Sequence, residues 1–120
     1  MEIKEHQLAD TKIAELISDG VIIRTSEEAL DILGDLYYQG FDSMIIHEKN
    51  VTLEFFDLKN KMAGEILQKF SNYRVRLAIV GDFTQYPGKS ITDFIRESNR
   101  GKHINFLAST SEAIKMLSIQ

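Results

Sequence analysis

Side chains able to do chemistry gather at three places in the chain. His47, Glu48 and Asn50 follow the apolar run Met44-Ile45-Ile46, and Asp82 and Thr84 follow Leu77-Ala78-Ile79-Val80. Ser109 and Thr110 follow His103–Ala108. Each run reads as a strand, and in open parallel sheets ligands bind beyond the carboxyl ends of the strands. All three groups would then lie on one edge. Glu48 and Asp82 are the types that hold Mg²⁺ in a water-rich shell. Neighbouring strand residues point to opposite faces, so His47 and Glu48 act on one atom only if the strand has already ended. Solvated loop acids and a hydrogen-bonded imidazole are the ordinary alternative.

Val80 to Ser90 imitates a phosphate loop, because it follows a strand, ends in Gly88-Lys89-Ser90 and opens a helix. Six residues separate Gly81 from Gly88 where that motif has four, which argues against a nucleotide hydrolase. A looser anion site at the helix N-terminus, with Lys89, fits the free amides there. His6, His47 and His103 are scattered, with no helical i, i+4 pair, so no histidine metal centre is expected. No Gly-x-Ser-x-Gly elbow is present for acyl transfer. No catalytic residue, metal or cofactor is assigned. Tyr37-Tyr38 and Phe55-Phe56 each place one ring on an apolar stripe and one beside it. The second ring of each pair suits a protein interface.

These residues need elements to position them. Ile3–Ser18 reads as two short strands about Ala9-Asp10-Thr11, and Val21-Ile22-Ile23 as a third strand after an Asp19-Gly20 turn. Thr25-Ser26-Glu27-Glu28 is a capping box for a helix burying Ala29, Leu30, Leu33, Leu36 and Tyr37, which Gly40 ends. Met44–Ile46 is a strand covered on both faces. Phe55 to Phe70 carries a helical stripe, with Gly64 placed for close approach to the sheet and Asn72 as the stop. Arg74–Val80 is the next strand, Ser90–Gly101 a helix burying Ile91, Phe94 and Ile95, and His103–Ala108 the last strand. Ser109–Glu112 is a second capping box. The expected fold is one α/β domain over residues 1–120, with a mixed, largely parallel sheet, an N-terminal antiparallel hairpin and about four helices.

The 120 residues suit one core, and 43% apolar with 27% charged residues is ordinary for a globular chain. No apolar run approaches the roughly 18 residues of a membrane span. The N-terminus lacks a signal-peptide pattern, so the cytoplasm is expected. A net charge of −4 argues against nucleic acid. The basic groups Lys69/Arg74/Arg76 and Arg96/Arg100/Lys102 read as solvated helix ends.

His47–Asn50, Phe55–Lys59, Ala63–Arg74, Leu77–Phe83 and Phe94–Asn99 together resemble a bacterial family known as domain of unknown function 4180. That resemblance brings no activity, substrate or catalytic residue. The element order also resembles STAS domains, the fold of bacterial anti-sigma-factor antagonists, which are regulatory protein-binding modules often switched by phosphorylation. In those domains an Asp-Ser-Ser-Gly loop carries the phosphoacceptor. The comparable stretch here is Phe56-Asp57-Leu58-Lys59-Asn60, where Asp57 matches the Asp and Leu58 and Lys59 replace the hydroxyls. Only Thr52 nearby could substitute.

The expected function is therefore a non-enzymatic regulatory or protein-interaction module with a protein partner. Its candidate surface is His47, Glu48, Asn50, Phe56, Asp57, Asp82 and Lys89. The alternative is a binder of a small ligand or anion, or a weak enzyme, with its site at the carboxyl edge of the sheet. Homodimerisation is compatible with either.

Overall fold

The computed structural model describes residues 1–8 and 10–119. Its sheet runs in sequence order: β1 (Glu2–Leu8), β2 (Thr11–Ile17), β3 (Ser43–His47), β4 (Arg76–Val80) and β5 (Ile104–Leu107). β1 is antiparallel to β2, and β2 to β5 are parallel. Helices α1 (Ser26–Tyr38), α2 (Met62–Tyr73) and α3 (Lys89–Arg100) connect the parallel strands, and α4 (Thr110–Leu117) follows β5. This is the expected mixed α/β sheet with its N-terminal hairpin and four helices.

Alternation along the strands sorts side chains between two cores. Ala14, Leu16, Met44, Ile46, Leu77 and Ile79 face the larger, with Leu33 of α1, Ile66 of α2 and Ile91 of α3. Ile13, Ile45, Ala78 and Val80 face the smaller, with Ala113 and Leu117 of α4. Crossovers of one hand put α1, α2 and α3 on the same face. Both capping boxes form. Thr25 accepts from the Glu28 amide and Ser109 from the Glu112 amide, each at 3.1 Å. The two glutamates reach back to the amides of Arg24 and Ala108, one residue ahead of each cap. Gly40, at φ +86°, closes α1. No helix among the described residues is long and apolar enough to cross a membrane.

Several local expectations are corrected. Val21–Ile23 is not a strand: Ile23 makes one isolated bridge to Val51, and the amides of Ile22 and Ile23 both donate to the Asn50 carbonyl. The helix expected from Phe55 begins at Met62, because residues 53–60 form two short 3₁₀ turns capped by Thr52 and Asp57. Lys61, at φ 64°, then redirects the chain. α2 ends one residue beyond Asn72, and Arg74 takes the left-handed conformation, so β4 starts at Arg76. A Cβ at Gly64 would meet nothing within 4 Å, so close approach does not explain that glycine. Tyr37 is 55% exposed, off the buried stripe. Arg76 is not a solvated helix end: its guanidinium donates to the carbonyls of Lys102, Met116 and Ile119 and ties α4 to the sheet. In the expected turn at Ala9-Asp10-Thr11, Ala9 lies outside the described residues.

Candidate functional site

Glu48 organises the carboxyl edge. It leaves the end of β3 in a 3₁₀ turn (Glu48–Asn50) and lies over Gly81, the first residue after β4. One oxygen accepts from the Asp82 amide at 3.0 Å, and the other from Gln85 Nε2 at 2.5 Å and from the Tyr86 hydroxyl. Burial, together with that hydrogen bond to a carboxylate, pushes the Tyr86 hydroxyl well above its usual range. Glu48 thus shapes the loop from Asp82 to Tyr86 by accepting three hydrogen bonds from it. Tyr86 stacks on Phe56, with centroids 4.2 Å apart and planes 12° apart. Phe56 itself is buried. It belongs to the packing beneath this loop and not to an exposed interface, which corrects its expected place.

The loop walls a cleft of about 700 Å³ beyond the ends of β4 and β5. Asp82, Phe83 and Thr84 line one side, Thr92 and Ile95 of α3 another, and Phe106, Leu107 and Ala108 the floor and end. Phe83 and Phe106 meet edge to face at 5.2 Å. Asp82 Oδ1 accepts from the Thr84 hydroxyl at 2.6 Å and its amide at 3.1 Å. These bonds hold the Asp82 carboxyl below the usual carboxylate range. Asp82 is therefore ionised at neutral pH, and among the described residues it is the only ionisable side chain lining the cleft.

His47 points elsewhere. It lies on the α4 face of the sheet, where its Nε2–H donates to Glu15 Oε2 at 2.8 Å. His6 Nε2–H donates to Glu15 Oε1, also at 2.8 Å, so one buried carboxylate of β2 joins β1 and β3. Burial alone would raise the Glu15 carboxyl. The hydrogen bonds from His6 and His47 outweigh it and hold the group below the usual glutamate range. A lowered native pKa adds stability that is present above the unfolded value and lost as pH falls through the native one. Urea midpoints measured from pH 7 to pH 3 should fall at the acid end. Glu15→Gln should be less stable at pH 7 and show a flatter decline below about pH 4.5.

The remaining expected residues separate. Asn50 is fully buried and donates to the carbonyls of Ser18 and Gly20 at 2.9 and 2.7 Å. It anchors the β2–α1 connection. Asp57 caps the following turn through the Lys59 amide. Lys89, Asp57 and Lys59 border a depression of about 430 Å³ at the start of α3. Ser109 caps α4. Glu48 and Asp82 meet only through the Asp82 amide, and among the described residues no group of three or more His, Asp or Glu could hold a metal.

Reading the sequence missed Glu15 and His6. The signal was a lone acid in the apolar stretch Ile13–Ile17. With the hairpin register pairing His6 with Ile13, that acid falls diagonal to a histidine. The cleft walls Thr92, Ile95 and Phe106 had no signal of their own, since each suits ordinary packing. No curated protein matches the chain. A family's sequence model does match, over residues 8–117, and the chain belongs to that family, Domain of unknown function (DUF4180).

Proposed function

We propose that the chain is a non-enzymatic binding module that seats a small organic molecule in the cleft beyond β4 and β5. The make-up of that cleft carries the reading. Its volume of about 700 Å³ lies inside the roughly 300–1,000 Å³ of ligand sites, and its walls are aromatic and aliphatic with a few polar groups. It sits where parallel sheets bind ligands. Chemistry is poorly served there. Asp82 is held in its ionised form, which makes it a weak base, and the Thr84 hydroxyl that donates to it at 2.6 Å has that weak base alone to activate it among the described residues lining the cleft.

The test is a thermal-shift panel of small organic compounds on the wild type and on Thr92→Trp. Thr92 is exposed on α3, so the indole fills the cleft without entering the core. A ligand at 100 times its Kd stabilises by about 2.7 kcal/mol. The wild type should gain Tm with some members of the panel, and Thr92→Trp should lose that gain while keeping its own Tm. A panel without effect on the wild type contradicts the reading.

A second reading, a regulatory module that binds a protein, draws support from Leu53. This leucine is 73% exposed on the loop between His47 and Asp57. Leu53→Ser should abolish recovery of a partner from native lysate, and recovery unchanged by the substitution counts against it.

A further inference from the structure

We infer that the occupant of the cleft is a cationic amine carried on an aromatic or branched apolar body. The inference rests on the ligand-binding reading above and adds the class of ligand. It follows from which hydrogen-bonding groups the protein has already used. The Gly81 amide donates to the Leu107 carbonyl at 3.0 Å, and the Asp82 amide to Glu48 at 3.0 Å. The amide and hydroxyl of Thr84 both donate to Asp82 Oδ1. The Thr92 hydroxyl donates to the Gly88 carbonyl at 3.2 Å, and the Ala108 amide to Glu112 at 3.2 Å. Along Gly81–Thr84 only the Phe83 amide has no protein partner among the described residues.

What remains for a ligand is mostly acceptors: Asp82 Oδ2 and the lone pairs of the Thr84 and Thr92 hydroxyls. A hydroxyl whose hydrogen is committed can only accept. A carboxylate or phosphate would set acceptor against acceptor beside an ionised Asp82, with the Glu48 carboxylate behind the loop. An ammonium group supplies three donors and the opposite charge. Phe83 and Phe106, in edge-to-face contact, offer ring surface for the apolar body and for a cation near an aromatic face.

The experiment compares three compounds that share one body: 2-phenylethylamine, 2-phenylethanol and 3-phenylpropanoate. Each is titrated into the isotopically labelled protein and followed at the amides of Asp82, Phe83 and Thr84. The amine should bind about ten-fold more tightly than the alcohol, and the carboxylate most weakly. Asp82→Asn should erase the advantage of the amine over the alcohol. Raising the salt concentration with the wild type should shrink the same advantage. If the alcohol or the carboxylate binds in the cleft as tightly as the amine, the inference is overturned and the ligand-binding reading stands. If none of the three binds, the inference is also overturned. The reading then falls with it only when the wider compound panel is silent too.

Discussion

Asn50→Asp should lower stability at neutral pH by about 3–5 kcal/mol, a large part of the roughly 5–15 kcal/mol that holds a domain folded. The substitution changes no volume. It replaces an amide that donates to the Ser18 and Gly20 carbonyls with an oxygen that faces both of them. The position is fully buried, so the new carboxylate would be desolvated with acceptors opposite it. Both effects push its native pKa up. A group whose native pKa is raised is least harmful below its unfolded value, and the harm grows as pH rises through the native one. The variant should therefore approach the wild type below about pH 4 and lose most at pH 7. Urea midpoints at the two pH values check this, and a deficit independent of pH would contradict it.

Gly81→Ala should cost about 2–3 kcal/mol. An added Cβ would collide with the Glu48 carboxylate and lie 2.5 Å from the Glu48 Cβ, so rotating the end of that side chain gives no escape. The backbone must shift, and the bonds from Glu48 to the Asp82 amide, Gln85 and Tyr86 shift with it. Tyr86 reports the damage. Its hydroxyl is held high by burial and by the Glu48 carboxylate, so its ultraviolet titration should move back toward the ordinary tyrosine range. Gly64→Ala is the matched control. A Cβ there meets nothing within 4 Å, and in a helix the change should add about 0.5–1 kcal/mol. Equal effects at the two glycines would contradict the clamp assigned to Glu48.

The frame of the molecule was legible because burial on two faces leaves continuous apolar runs. Met44–Ile46 and Leu77–Val80 read as central strands from their apolar residues alone, and both capping boxes stand in the sequence as spacings. The segment from Leu53 to Asn60 was not legible. Its apolar residues fit a helical stripe, yet Thr52, Asp57 and Asn60 bond to nearby backbone amides and favour short turns over a continuing helix. Val21–Ile23 looked like a strand for the same reason any β-branched triplet does. Its amides instead go to the carbonyl of Asn50, a partner far away in sequence.

At the candidate site, residue types were legible and directions were not. Glu48 and Asp82 do sit at one edge, but Glu48 is committed to the loop and only Asp82 faces the cleft. His47 alternates to the opposite face, toward Glu15. Phe56 had the pattern of an exposed partner ring and is instead stacked beneath Tyr86. Such outcomes depend on long-range packing, which spacing along the chain does not encode.

The most direct test of the binding module is an amide-resolved titration of the labelled wild type with members of the compound panel. Binding in the cleft predicts shifts concentrated at Gly81–Thr84, Thr92, Ile95 and Phe106–Ala108, saturating together with one Kd and absent in Thr92→Trp. Shifts centred elsewhere, on the exposed Tyr37 and Tyr38 or along β1, or no saturable shifts with any compound, would contradict it.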